Sequence, residues 1–255
     1  SWDATICSVG STIFAQPTQN VGAFDLSDDA RYAVFDSTSS VLVPADTNGV
    51  GDVFLHDRLL DTIRRISTDE AWLQGNAASS APRVAVNPLI GPVIAFQSNA
   101  SNLVEDDTNA RTDIFVRNLW NGGTVRITNA GTQGNDDSSN PDIVCYDLGN
   151  IYVCFQSDAS NLVAGDVNGV TDAFFYNWNT ETIERVSVST AGVAGNGNST
   201  LPRMSGDGRY VTFQSQASNL VAGDVNGVID IFVRDRTLST TEIVSVSSGG
   251  AEADS

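Results

Sequence analysis

The chain has 255 residues, with 31 acidic against 13 basic side chains and a net charge of −18, and all 13 basic residues are Arg. Such a surface repels phosphate backbones and anionic membranes, which are bound by clustered cations, so binding to nucleic acid or to anionic membranes is excluded as a primary role. The longest apolar region, residues 84–96, is interrupted by Asn87, Pro88 and Pro92, too short a run to span a bilayer. The first residue is Ser1, which fits a processed, exported protein at the cell surface, outside the cell or in the periplasm.

From the N-terminus onward one text recurs four times. FDSTSSVLVPADTNGVGDVFLHDR carries Asp46, Asn48 and Asp52; FQSNASNLVEDDTNARTDIFVRN carries Asp107, Asn109 and Asp113. FQSDASNLVAGDVNGVTDAFFYN carries Asp166, Asn168 and Asp172, and SNLVAGDVNGVIDIFVRDR carries Asp224, Asn226 and Asp230. The loops open on Asp46, Asp107, Asp166 and Asp224, at nearly equal intervals. Phe35, Phe96, Phe155 and Phe213 stand at one fixed offset before them. A regular period of this kind marks a propeller, solenoid or array.

Each copy reads as four short strands. In the fourth they fall near 202–205, 209–215, 229–234 and 241–247. DIFVR places Ile231 and Val233 on one pleat face and Phe232 on the other, as strands covered on both faces do. The fourth strand alternates Val244 and Val246 with Ser245 and Ser247, which fits an outer strand with one wet face. Four-stranded sheets with two buried faces stack around an axis as a β-propeller. The expected fold is therefore all-β, a four-bladed propeller over residues 1–255. Its blades cover 23–69, 81–128, 140–189 and 201–247, and 248–255 form a tail or a link to a next unit. Residues 1–12, where DATICSVGST parallels TTEIVSVSSG near the C-terminus, supply an extra terminal strand. Because every blade already has its own fourth strand, the surplus one is expected to pair with a neighbouring subunit or to belong to a longer propeller.

SGDGRYVTFQS, DIFVRDR and TTEIVSVS together resemble the TolB-like propeller repeats of exported bacterial and archaeal proteins, over essentially the whole chain. The second and third copies lose the Asp-Gly turn.

The loops carry the candidate chemistry. Calcium takes six to eight oxygens, and Asp, Asn and Asp at positions 1, 3 and 7 with a carbonyl at position 5 offer such a set. Ca²⁺ is therefore expected at Asp46/Asn48/Asp52, Asp107/Asn109/Asp113, Asp166/Asn168/Asp172 and Asp224/Asn226/Asp230. The second copy, with Ala110 for Gly and an added Arg111, is expected to be weakest. The alternative is turn chemistry without metal, since Asn-Gly is a favoured turn pair and Asp caps backbone N–H groups.

Three Cys are present. A two-residue hairpin loop at Gly149-Asn150 would set Cys145 opposite Cys154 and permit a cross-strand disulfide, the alternative being two packed thiols; Cys7 is left over. His56 shares its slot with Arg117, Tyr176 and Arg234, which reads as a solvent-facing rung. No nucleophile elbow or metal-type His/Cys spacing occurs, so no catalysis is expected. Asn99 and Asn198 begin glycan-acceptor triplets. The expected role is a calcium-bound, non-enzymatic structural propeller outside the cell, assembling with itself into a fibre or layer by strand exchange. The second reading is a glycan- or peptide-binding module using Trp2, Trp72, Trp120 and Trp178 at the axial mouth.

Overall fold

The computed structural model describes residues 21–128, 133–147 and 149–250. The expected strand at 1–12, with Trp2 and Cys7, lies outside them, as do residues 251–255. Four sheets of four antiparallel strands follow one another, each in strict sequence order, so the chain is an all-β propeller of four blades. Blade 1 is β1 (Val21–Leu26), β2 (Tyr32–Ser37), β3 (Asp52–Asp57) and β4 (Thr62–Arg65). Blade 2 is β5 (Ser79–Asn87), β6 (Gly91–Ser98), β7 (Asp113–Asn118) and β8 (Thr124–Arg126). Blade 3 is β9 (Ser138–Tyr146), β10 (Asn150–Ser157), β11 (Asp172–Asn177) and β12 (Thr182–Arg185). Blade 4 is β13 (Ser199–Met204), β14 (Tyr210–Ser215), β15 (Asp230–Asp235) and β16 (Thr240–Ile243). The outer strands are thus shorter than the sequence suggests, and Val244 and Val246 lie beyond β16 and are exposed.

The period-two pleat explains the packing. In each blade the repeated Phe of the second strand stacks on a Phe of the third, with ring centroids 5.7–5.9 Å apart. That ladder lies on the face turned to the preceding blade, while the alternate residues face the next one. Three apolar clusters result, each at a junction of successive blades. Val34, Val53, Leu55 and Ile66 of blade 1 meet Phe96 and Phe115 of blade 2. Ala95, Ile114, Val116 and Ile127 meet Phe155 and Phe174. Cys154, Ala173, Phe175 and Val186 meet Phe213 and Phe232. Among the described residues no cluster joins blade 4 to blade 1.

Polar contacts repeat at the same junctions. Asp36, Gln97 and Gln156 each accept the backbone N–H of a residue in the next blade's first strand, Ala81, Asn140 and Leu201, at 2.9 Å. Each of those three has a φ of 52–53°, the left-handed region that aims its N–H sideways out of the sheet. The linkers after the fourth strands are tied by Asn76, Asn135 and Asn196, whose amides bond Ser101, Ser160 and Ser218 of the following blade.

Two sequence expectations are corrected here. Tyr146 pairs with Asn150, so Cys145 faces Ile151 and Cys154 faces Asp142. A one-residue difference in loop length sends every side chain of a strand to the other face. Both thiols are free; Cys145 packs in the junction with blade 2 and Cys154 in the junction with blade 4. Burial pushes the Cys145 thiol up to about 12 and raises that of Cys154 as well. The slot of His56, Arg117, Tyr176 and Arg234 is not a solvent-facing rung either. Arg117 is fully buried and Tyr176 nearly so. Arg117 reaches back to the preceding linker, donating to the carbonyls of Thr68 and Asp69, and Arg234 does the same to Ser189.

Candidate functional site

The four acidic loops enter the third strands, and the last Asp of each (Asp52, Asp113, Asp172, Asp230) is the first, fully buried residue of that strand. The Asn two residues after the first Asp folds its oxygen back onto a local N–H: Asn48 accepts from Val50, Asn109 from Arg111, Asn168 from Val170 and Asn226 from Val228. Its NH₂ then points at the strand Asp, with distances of 3.0, 2.9, 2.8 and 2.8 Å. In the first three blades it also donates to a linker carbonyl, of Gly75, Gly134 or Gly195. The left-handed turn residue is Gly49, Gly169 and Gly227 in three copies, and Ala110 adopts it at φ 56° in the second.

The other oxygen of the strand Asp takes a hydroxyl from the segment after the fourth strand: Ser67, Thr128, Ser187 and Ser245. Between the two carboxylates of each loop in blades 1–3 lies an arginine. Arg65 is 3.3 Å from Asp46 and 3.5 Å from Asp52; Arg126 is 3.0 Å from Asp107 and 3.9 Å from Asp113. Arg185 donates to both Asp166 at 3.0 Å and Asp172 at 2.8 Å, the best-aligned of the three. These arginine side chains are at most 10% exposed. Burial raises the carboxyl groups of Asp52, Asp107, Asp113 and Asp166 above the usual range, against the pull of hydroxyl, amide and guanidinium neighbours.

This donor set does not fit a hard divalent ion in blades 1–3. The Asn oxygen is occupied by the loop's own N–H, its NH₂ faces the carboxylate a metal would need, and a guanidinium fills the gap between the acids. The loops of blades 1–3 are clasps whose cation is arginine. Sequence reasoning overlooked these arginines, although Arg65, Arg126 and Arg185 all stand at one constant offset after Asp46, Asp107 and Asp166. At the same offset from Asp224 stands Ile243, packed against the junction with blade 3, so the fourth loop, not the second, departs from the pattern. Arg111 instead pairs with Asp136 at 2.9 Å.

The remaining candidates are dispersed. His56 meets Asp61 at 3.2 Å on the surface. Asn99 and Asn198 are exposed and accept hydrogen bonds from Thr112 and Thr171. The described tryptophans do not gather at the axial mouth: Trp72 sits in the linker after β4, and Trp120 and Trp178 in the turns between third and fourth strands. Trp72 lies over the Arg117 guanidinium, 4.2 Å from the ring centroid. Trp178 packs into the junction of blades 2 and 3, and Trp120 is 75% exposed.

No family model matches the chain, and no curated protein matches it. Solved structures do. TolB from Acinetobacter baumannii shares 17% identity at a TM-score of 0.54 over 88% of this chain and 43% of that one. A putative TolB from Agrobacterium tumefaciens shares 16% at 0.50 over 86% and 62%. A prolyl endopeptidase shares 12% at 0.51 over 90% and 27%. The chain spans less than two thirds of each, and what it has in common with them is the β-propeller fold.

Proposed function

We propose that the chain is a non-catalytic structural propeller unit, located outside the cell, that joins other copies of itself into a fibre or surface layer. The observation that carries this reading is the outward face of blade 4. Tyr210 and Val244 are 39% and 45% exposed there, whereas their counterparts in blade 1, Tyr32 and Ile66, are 9% and 0% exposed under blade 2. An apolar sheet face of this kind marks an interaction surface. The non-catalytic part is supported by the loops, whose carboxylates are committed to arginine, amide and hydroxyl partners. Calcium, expected at all four loops, is on this reading kept out of the loops of blades 1–3, where an arginine stands between the two carboxylates. Electron microscopy of the purified protein, with and without chelator, tests the role. Ordered assemblies under both conditions are expected, and isolated particles at every concentration would refute it.

A second reading, glycan binding, is favoured by the exposure of Trp120 and Trp72, which offer flat stacking surfaces at the outer edge. A glycan array on which Trp120→Ala binds as wild type, or on which nothing binds, rejects it.

A further inference from the structure

The outward faces of blade 4 and blade 1 are the two halves of the junction that the chain builds three times internally, and we propose that blade 4 of one copy docks face to face on blade 1 of a second copy. This rests on the assembly reading above and gives it a contact between described faces, separate from the expected exchange of residues 1–12.

The match holds position by position. The face that blades 1–3 present forward is built from one residue in the first half of the second strand, its neighbour two further on, two in the third strand and one after the fourth. In blade 2 these are Val93, Ala95, Ile114, Val116 and Ile127, all buried. In blade 4 they are Tyr210, Thr212, Ile231, Val233 and Val244; none of the five is buried, and four are apolar. On the receiving side, blade 2 uses Val84, Ile94, Phe96, Leu103 and Phe115. Blade 1 carries Leu26, Ala33, Phe35, Leu42 and Phe54 at the same places, of which only Phe54 is buried and Leu26 is 49% exposed. Phe24 beside them is 75% exposed.

Polar complementarity points the same way. Gln214 occupies the place of Asp36, Gln97 and Gln156, each of which accepts an N–H from the following blade, and its own amide makes no hydrogen bond among the described residues. Along the first strands, which lie against one another from blade to blade, charge alternates as Asp25, Arg83, Asp142 and Arg203. Asp25 and Asp142 accept the N–H groups of Val84 and Met204 in the next blade, at 2.9 and 3.0 Å. The residue that continues this alternation after Arg203 is an acid, and Asp25 of a second copy supplies it. The contact is heterologous: the surface used forward differs from the surface that receives it, so copies add head to tail.

The test uses two variants of the full chain on exposed positions, Val244→Glu to spoil the forward face and Leu26→Lys to spoil the receiving one, with light-scattering mass as the readout. Wild type is expected to grow beyond the monomer mass as concentration rises. Each variant alone should stay monomeric, its self-association at least about a hundredfold weaker because a charge is buried unpaired. Mixed in equal amounts they should form a 1:1 pair and stop there, since one sound face of each kind remains. If wild type assembles and either variant does so equally well, the docking is wrong while self-assembly stands. If wild type stays monomeric throughout, the assembly reading falls and the docking with it. Unaltered far-ultraviolet circular dichroism and melting of the variants confirm that the fold is intact.

Discussion

Blade 3 and blade 4 carry nearly the same loop and strand text, GDVNGVTDAFFYN against GDVNGVIDIFVRD, yet differ in two physical respects. The loop of blade 3 is closed by Arg185 between Asp166 and Asp172, and its forward face is covered by blade 4. Blade 4 has Ile243 at the corresponding position, and Tyr210 and Val244 of its forward face are exposed. The repeated text specifies a strand and a turn; the cation and the covering neighbour are specified separately, by residues elsewhere. A repeat can therefore keep its shape while the residues that complete it change.

The largest test of that difference is to remove the cation. Arg185→Ala leaves two buried carboxylates unpaired and should cost about 3–5 kcal/mol in urea unfolding. Ile243→Ala removes only apolar packing and should cost no more than about 2 kcal/mol. Equal losses would erase the distinction between the blades. Next in size, Asn168→Asp replaces the NH₂ that bonds Asp172 with a third carboxylate. It should destabilise by about 1–3 kcal/mol whether or not calcium is added. A metal loop would instead be improved in calcium by the added charge.

A smaller effect is expected at Ala110. Its left-handed φ of 56° is one that glycine adopts without penalty and that three sibling loops fill with glycine. Ala110→Gly should stabilise by up to about 1 kcal/mol, read as a higher denaturation midpoint at constant slope.

Acid separates the end blades from the middle ones. Blades 1 and 4 each hold a two-point Arg–Asp pair, Arg31–Asp57 and Arg209–Asp235, where blades 2 and 3 have Asn118 and Asn177. The Arg209 side chain holds the Asp235 carboxyl down to about 2, below its value of 3.8 in an open chain. The stability it contributes is thus complete above about pH 4 and lost as pH falls towards 2. Carboxyls raised by burial, such as Asp166, have the opposite sign: their contribution is present at low pH and lost as pH rises through the folded value. Amide exchange should show blades 1 and 4 loosening before blades 2 and 3 between pH 4 and 2, and Asp235→Asn should flatten that dependence in blade 4.

The blade plan was legible because its signals are local: the even spacing of Asp46, Asp107, Asp166 and Asp224, and the Phe at a fixed offset before each. The clasp was harder to see, since Arg185 is remote from Asp166 along the chain and becomes its neighbour only once β11 pairs with β12. The offset was constant and available, but loops rich in carboxylates read as metal sites when taken alone. The cysteine pairing failed on one residue of hairpin length, which no propensity at Gly149-Asn150 decides. The exposure of Tyr210 and Val244 on blade 4 had no signal at all, because apolar residues at these positions look the same with or without a neighbouring sheet.

Whether arginine holds the acidic loops of blades 1–3 is tested most directly by thermal unfolding of the wild-type chain in millimolar calcium and in excess EGTA. The two melting temperatures should agree within about 2 °C, since arginine already stands between the carboxylates of blades 1–3. A fall of about 10 °C or more on chelation, abolished by Asp166→Asn, would show that the loop of blade 3 is a metal site and contradict the arginine clasp.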